Sequence, residues 1–324
     1  MLFQKTNTHT SIYICLLIDL YCRRIAQHFI KIMESNKITI LIISYRSLEK
    51  LKSCIKTIGS NKEIIVIENS DNQQIKKSIE SEYQNCKVVL NNSNLGYAKA
   101  SNIGFKLIKT EYALLLNTDI IIYENQIEEM EKEVDNLKGN FSLASPLSND
   151  LIDFNKNNKL DNFFDKKIPN FNIENTVTKV DLIKGCSLLV NLKKFKNENI
   201  FDDNFFFFFE EIDLCRKIKE KNESIYVFNQ IKIQHKSAQS IDEKFNTSYH
   251  NFRHWNFFWG RYYYFKKHYG FFFALIYFVP IFIRINYRVI LYKLKNDKIN
   301  YDKYKARRSG LYASILNQKS SKRI

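Results

Sequence analysis

The sequence predicts an α/β protein whose mostly parallel sheet carries helices on both faces. Apolar runs of strand length alternate with segments of helical spacing from Lys37 onward. The first run, Ile38–Ile43, is continuously apolar, which is typical of a strand buried on both faces. Polar residues directly follow four of the predicted strands, at the end of the strand where such sheets bind ligands.

The predicted elements follow one another in strand–helix order. Strands are predicted at Ile38–Ile43, Glu63–Ile67, Lys87–Leu90, Tyr112–Leu116, Val180–Val190, Ile225–Phe228 and Ile231–Gln234. Helices are predicted at Leu48–Ile58, Gln73–Glu82, Tyr97–Ile108 and from Glu210 to about Lys221. Residues 146–178 are rich in Asn, Asp and Lys and are predicted to form a long irregular connection.

Composition and charge argue against a nucleic-acid-binding protein. The chain has 324 residues, 45% hydrophobic and 26% charged, which is typical of a folded protein. The net charge is +16, but 15 Lys and Arg against 2 Asp and Glu lie from Arg261 onward, so the preceding body is nearly neutral. Six cysteines without a CxxC pair favour neither a disulfide framework nor a zinc site.

The two ends are predicted to differ from the body at residues 37–268. Residues 1–36 are expected to be an extension outside the fold, with a short packing or membrane-touching helix as the alternative. Residues 269–324 are basic and apolar. Because Arg284 and Arg288 interrupt the apolar run that begins at Gly270, we expect a peripheral or monotopic amphipathic helical tail on an anionic membrane surface. The alternative is a buried helix pair.

Six motifs occur in a fixed order along the body. They are Ile40–Tyr45, Val66–Ser70, Asn91–Gly104, Leu114–Asp119, Phe201–Cys215 and His235–Ser240. Together they resemble glycosyltransferase family 2, whose members are inverting nucleotide-sugar enzymes with a GT-A fold, a Rossmann-like mixed sheet. The resemblance is greatest to the rhamnosyltransferase-like branch.

The resemblance implies transfer of a hexose from a nucleotide-diphosphate-sugar donor to a hydroxyl of a glycan or lipid-linked acceptor. It also implies a divalent cation, Mg²⁺ or Mn²⁺, and a place in cell-surface polysaccharide assembly at the cytoplasmic face of the membrane. Three residues depart from the family pattern, namely Glu68, Thr118 and Glu211. The alternative function is therefore a catalytically weak or inactive GT-A-like protein that binds a nucleotide-sugar or glycan.

The predicted catalytic group is Glu211, a general base that takes the proton of the acceptor hydroxyl, with Glu210 as its competitor. Asp213 is expected to orient the site or to cap backbone amides. The apolar residues Phe205–Phe209 should raise the pKa of these carboxyls. An acidic first helical turn without catalytic function is the alternative.

The predicted metal ligands are Asp119, whose carboxylate suits a hard divalent cation, and His235, by resemblance. A turn-forming pair at Asn117 and Asp119 is the alternative. By the same resemblance Gly185 is placed on the acceptor side. The predicted donor-binding residues are Ser44, Tyr45, Glu68, Asn69, Asn94, Gly96, Asn102, Asn117 and Thr118.

Overall fold

The computed structural model describes residues 37–149, 175–196, 198–236, 246–320 and 322. The predicted extension at residues 1–36, most of the predicted connection at 146–178 and the end of the motif His235–Ser240 lie outside the described residues. From Ile38 to the C-terminus the described chain forms one compact unit.

The described chain contains nine strands and eight α-helices, and it confirms the predicted α/β class. The strands are β1 (Ile38–Ser44), β2 (Ile64–Glu68), β3 (Cys86–Leu90), β4 (Tyr112–Asn117), β5 (Ile120–Ile121), β6 (Leu143–Ser148), β7 (Val177–Val180), β8 (Ser187–Asn191) and β9 (Ile225–His235). The helices are α1 (Leu48–Ile58), α2 (Gln73–Glu82), α3 (Tyr97–Phe105), α4 (Glu124–Asn136), α5 (Glu210–Glu220), α6 (Asn246–Tyr269), α7 (Phe271–Leu294) and α8 (Lys298–Ile315).

The strand order is β3-β2-β1-β4-β8-β6-β9-β5, with β7 paired to β9. The first four strands of this order are parallel, as in the pair Ile40 and Ile64. The β8 strand runs antiparallel to β4, so Ser187 at its start lies beside Leu116 at the end of β4. The sheet is therefore more mixed than predicted. The predicted strand Val180–Val190 is the separate strands β7 and β8, and the two last predicted strands are one strand, β9.

Alternate side chains of β1 enter two different cores, which explains its continuous apolar sequence. Leu41 packs with Leu115 on one face of the sheet, and Ile40 and Ile42 pack with Leu114 on the other. A strand with both faces covered has no solvent side on which a polar residue would be favoured. Because β1 pairs in parallel with both β2 and β4, the carboxyl ends of these three strands lie at one edge of the sheet.

The C-terminal helices pack on the body and on one another. Tyr262 of α6 is fully buried in the core that contains Phe205 and Phe209. Gly310 of α8 lies so close to α6 that a Cβ would come within 2.2 Å of the Trp255 carbonyl oxygen, so the backbones of these two helices touch. Helices α6, α7 and α8 pack on one another as a C-terminal layer, and α6 joins this layer to the body.

Helix α7 forms the apolar part of the predicted C-terminal helical tail. It is one uninterrupted helix of 24 residues in which Pro280 is accommodated, and among the described helices it alone is long and apolar enough to cross a membrane, by length and composition. Four of its residues are buried, namely Ala274, Phe278, Ile285 and Val289, and the helix packs against α6 and α8. Most of its other apolar side chains are exposed.

Candidate active site

A cavity of about 410 Å³ lies at the edge of the sheet where β1, β2 and β4 end and β8 begins. Twelve of the predicted site residues line it: Ser44, Tyr45, Asn69, Asn94, Gly96, Asn117, Thr118, Asp119, Gly185, Glu210, Glu211 and His235. Asp119 and Glu211, which are distant in sequence, therefore open onto the same cavity. Glu68, Asn102 and Asp213 do not line it.

The turn after β1 forms one wall of the cavity. Hydrogen bonds to the Glu68 side chain hold this turn in place. The Glu68 side chain is fully buried and accepts hydrogen bonds from Ser44 Oγ at 2.7 Å and from the Arg46 backbone amide at 3.0 Å. It also accepts one from Ser70 Oγ at 2.5 Å. With these bonds made, Glu68 shapes the turn that presents Tyr45. The expectation that it contacts a nucleotide directly is corrected.

The loop before α3 is fixed by Asn69. Its side-chain amide donates to Asn94 Oδ1 at 3.0 Å and to the Gly96 carbonyl at 3.2 Å, and its Oδ1 accepts from the Leu95 amide at 2.9 Å. Gly96 has φ +87°, and a Cβ there would lie 2.6 Å from the Phe206 carbonyl oxygen. Glycine is required at this position for both its backbone conformation and the close approach of Phe206.

Asn102 lies on α3 and faces away from the cavity, contrary to the sequence expectation. Its amide donates to the Phe201 carbonyl at 2.8 Å and to Asp203 Oδ1 at 2.7 Å, and its Oδ1 accepts from the Phe201 amide at 3.1 Å. Because these bonds hold the segment that leads into the phenylalanine run, Asn102 acts on the site by positioning that segment.

Asp119 and His235 are adjacent side chains in the lining of the cavity. Asp119 Oδ1 lies 3.3 Å from His235 Nε2, because β5 and β9 pair Ile120 with His235. Burial lowers the pKa of His235, but the hydrogen bonds to Asp119 and to Cys186 outweigh it and raise that pKa to about 10. Within the described part of the chain, no group of three or more His, Cys, Asp or Glu side chains is placed to hold a metal.

Glu210 and Glu211 begin helix α5 after two residues with left-handed backbone. Phe208 has φ +72° and Phe209 has φ +74°, a conformation that costs about 1–3 kcal/mol for each non-glycine residue and is concentrated at functional sites. Glu211 lies against Gly185, whose added Cβ would be 3.3 Å from Glu211 Cβ. The strained turn therefore precedes two adjacent carboxylates, of which Glu211 lies against the loop before β8.

The surroundings of both carboxyl groups raise their pKa. Burial raises the pKa of Glu210 well above its usual range, and the neighbouring charge of Glu211 raises it further. Burial also raises the pKa of Glu211, although the backbone amides of Glu211 and Ile212 and the charge of Lys184 act in the opposite direction. Glu210 Oε2 and Glu211 Oε2 are buried without a hydrogen-bond partner among the described residues.

Asp213 lies one turn further along α5 and does not reach the cavity. Its carboxylate is 2.7 Å from Lys267 Nζ and 2.7 Å from His268 Nε2, both on α6. Asp213, which the sequence predicts to orient the site or to cap backbone amides, joins the helix that begins at Glu210 to the C-terminal layer through these ion pairs.

A family model, "Glycosyl transferase family 2", matches residues 39–211, which is more than half of the chain. The chain belongs to glycosyl transferase family 2. It is an enzyme of the glycosyltransferase class, as the sequence predicted. The assignment to a rhamnosyltransferase-like branch stays a prediction.

Two proteins illustrate the similarity. The low-salt glycan biosynthesis hexosyltransferase Agl10 of Haloferax volcanii is 23% identical over 223 residues, which cover 65% of this chain and 71% of that protein. The mannosyltransferase PcManGT of Pyrobaculum calidifontis, solved in complex with GDP-Man and Mn²⁺, superposes with a TM-score of 0.52 at 8% identity. The superposition covers 87% of this chain and 88% of that one, and it confirms the GT-A fold.

Sequence analysis did not predict several residues that line the cavity of this family 2 glycosyltransferase. The missed lining residues are Ile43, Ser47, Tyr97, Lys184, Cys186, Phe206, Phe207, Phe208, Tyr249, Phe252 and Arg253. Phe205 and Phe209 belong to the core, but Phe206–Phe208 between them line the cavity. No motif marks Tyr249–Arg253, since these residues reach the cavity through the packing of α6.

Proposed function

We propose that this glycosyltransferase moves a hexose from a nucleotide-diphosphate-sugar donor to a hydroxyl of a glycan or lipid-linked acceptor. The product serves cell-surface polysaccharide assembly. The observation that carries the proposal is that Asp119 and Glu211 line the same cavity. One is a candidate ligand for the cation that neutralises a diphosphate, and the other is a candidate base for an attacking hydroxyl.

The donor nucleotide is assigned to the wall formed by the ends of β1 and β2. Tyr45 offers an aromatic ring, and Ser44, Ser47 and Asn69 offer polar groups in the same wall. Asn94 and Gly96 continue this wall at the start of α3. The GDP-Man seen with PcManGT, which shares the fold, supports a nucleotide-diphosphate sugar as the donor.

The residues present fit a divalent cation at Asp119. Asp119 offers a hard carboxylate oxygen, and His235 Nε2 lies 3.3 Å from it. Mg²⁺ takes oxygen ligands, whereas Mn²⁺ accepts imidazole as well as carboxylate, so this pair favours Mn²⁺. Two protein ligands leave positions for phosphate oxygens and water. The bound cation would neutralise the charge that develops on the departing diphosphate.

Glu211 is the proposed base. The acceptor oxygen bonds to the anomeric carbon while the bond from that carbon to the diphosphate oxygen breaks, and the hydroxyl proton passes to Glu211. Attack from the side opposite the leaving diphosphate inverts the anomeric configuration. Burial raises the pKa of both carboxyl groups, but the charge of Lys184 opposes this rise at Glu211, whereas the charge of Glu211 adds to it at Glu210. Glu211 is therefore proposed as the group that accepts the proton.

The variants Glu211→Gln and Glu210→Gln test this assignment. Glu211→Gln should lower turnover by about 10²–10⁴-fold with donor affinity retained, because only proton transfer is lost. Glu210→Gln is the matched control and should retain most turnover, because a protonated carboxyl and an amide are alike in charge. Turnover is measured with UDP-, GDP- and dTDP-sugars, and the anomeric configuration of the product by NMR. Wild-type turnover in Glu211→Gln, or loss confined to Glu210→Gln, would overturn the assignment.

The proposed location is the cytoplasmic face of the membrane, reached through α7. An apolar stripe along one side of this helix is exposed to solvent, and it consists of Phe272, Ile276, Val279, Ile283, Tyr287, Ile290 and Leu294. Arg284 and Arg288 each follow a stripe residue directly, so they project from the sides of the helix and not from the stripe. An apolar stripe flanked by basic residues fits a helix lying in the surface of an anionic bilayer.

Vesicle flotation tests this location. The double variant Ile276→Asp, Ile283→Asp should lose binding to vesicles that contain phosphatidylglycerol, because two charges then enter the stripe. Leu107→Asp is the control, since Leu107 is an exposed apolar residue on the body. Unchanged flotation of the double variant would refute membrane binding through α7.

A further inference from the structure

The cavity has an aromatic wall that neither the donor assignment nor the proposed chemistry uses. It is built by Phe207 and Phe208 from the turn before α5 and by Tyr249, Phe252 and Arg253 from α6. The rings of Phe207 and Phe252 are 5.7 Å apart, and those of Tyr249 and Phe252 are stacked with centroids 6.2 Å apart. Residues 207, 208, 249, 252 and 253 are called the aromatic wall below.

Arg253 is held in this wall as a cation over aromatic rings. Its guanidinium carbon lies 5.1 Å from the centre of the Phe208 ring and 5.4 Å from that of Tyr249. One nitrogen, Nη1, donates to the Tyr249 hydroxyl at 3.1 Å. Among the described residues, no carboxylate lies within ion-pairing distance of Arg253. A guanidinium has five N–H donors in a planar fork, so this arrangement leaves donors to point at a ligand anion.

The position of the wall relative to the base indicates which substrate it meets. Two residues separate Phe208 from Glu211, so the part of the wall formed by Phe207 and Phe208 directly precedes the proposed base in the chain. The donor wall is formed instead by the ends of β1 and β2, with Tyr45 and Asn69. The reacting hydroxyl must lie at Glu211. The acceptor that carries it therefore extends along the aromatic wall.

We propose that the aromatic wall is the acceptor subsite and that it takes a glycan carrying an oxyanion, a phosphate or a carboxylate, close to the sugar that reacts. This inference rests on the proposed glycosyl transfer. The rings of Phe207, Tyr249 and Phe252 pack against the C–H face of a sugar, and Arg253 pairs with the oxyanion through its planar fork. A lipid-linked phosphate, a phosphate on the glycan and a uronic acid share this chemistry.

Calorimetry with the full-length protein tests the subsite without requiring turnover. The probes are octyl glucoside as the neutral ligand, octyl glucoside phosphate, octyl glucuronide and geranyl phosphoglucose. Arg253→Gln should weaken binding of the oxyanion probes by about 10–100-fold, as expected for loss of a charge-assisted hydrogen bond. Binding of octyl glucoside and of the nucleotide UDP should not change. Arg253→Lys should recover part of the loss, because it keeps the charge without the fork.

The control variant is Arg216→Gln, since Arg216 also stacks on a tyrosine, Tyr269 at 4.6 Å, but lies outside the cavity lining. The probe that loses most affinity identifies the source of the oxyanion. Equal loss for neutral and charged probes, or no binding of any probe by the wild-type protein, overturns the subsite. Loss of UDP binding instead assigns Arg253 to the donor diphosphate and also overturns it. Wild-type turnover with any donor decides the proposed function separately, so the two failures are distinguishable.

Discussion

Substituting Gly96 by alanine should be far more harmful than the same change at Gly270, although the two backbones are almost identical. Gly96 precedes α3 with φ 87° and ψ 168°, and Gly270 precedes α7 with φ 87° and ψ 162°. A side chain in this region of backbone space costs about 1–3 kcal/mol. At Gly270 an added Cβ meets nothing within 4 Å, so Gly270→Ala carries this backbone cost alone.

At Gly96 the added Cβ also collides with backbone. It would lie 2.6 Å from the Phe206 carbonyl oxygen and 2.9 Å from Phe206 Cα. The same carbonyl accepts a hydrogen bond from the Tyr97 amide at 2.8 Å, so Phe206 cannot move away without breaking that bond. Overpacking of this kind costs a further ~1–3 kcal/mol. Gly96→Ala should therefore lose about 2–6 kcal/mol of the free energy of unfolding, against about 1–3 kcal/mol for Gly270→Ala.

Urea denaturation followed by the fluorescence of Trp255 and Trp259, both buried, measures the two losses. Donor affinity provides a second measurement. Because Phe206 lines the cavity, Gly96→Ala should weaken donor binding, and Gly270→Ala should leave it unchanged. A difference in stability smaller than about 0.5 kcal/mol between the two variants would show that the Phe206 backbone yields easily, and the reasoning would fail.

Three further predictions concern buried charges. Burial raises the pKa of Glu210 above its unfolded value, so the stability from its protonated form is present at low pH and lost as the pH rises through the folded pKa. Glu210→Gln should therefore gain thermal stability relative to wild type at about pH 8 and not at about pH 5, and an equal effect at both would contradict the raised pKa. Lys62 and Glu131 form a buried ion pair at 2.7 Å. Lys62→Met alone should cost about 3–5 kcal/mol in denaturant unfolding, whereas adding Glu131→Leu should restore most of it, and no restoration would contradict a charge effect. Asp119→Asn should weaken Mn²⁺-dependent donor binding in calorimetry, and retention of the wild-type metal dependence would refute Asp119 as a ligand.

Some features of the fold could be predicted because short stretches of sequence encode them. The apolar run of β1 identifies a strand with two covered faces, and the apolar positions of α1 identify its buried face. Strand β6 and helix α4 were not predicted. Pro146 lies inside β6 and favours a loop when the sequence is considered alone. In α4, the buried residues Ile127, Met130 and Val134 have helical spacing that the sequence analysis did not use.

The site was partly predictable for the same reason. Residues that directly follow parallel strands meet at one edge of the sheet, which is why Tyr45, Asn69 and Asp119 were recognised. Glu68 and Asn102 belong to the same motifs and yet face inward. A motif specifies which residue types occur, whereas hydrogen bonds to Ser44 or Phe201 decide whether a side chain meets the ligand or supports the loop.

By itself, the sequence determined the strands of the parallel half of the sheet and the two acidic segments that carry Asp119 and Glu211. These features are local, because apolar periodicity and the residues that follow a strand can be identified within short stretches of sequence. The tertiary structure alone decided that helix α6 completes the cavity with Arg253, and that Asp213 is bound to Lys267 instead of facing the cavity. Those contacts join segments with no shared pattern, and they follow from how the C-terminal helices bury their aromatic side chains against the body.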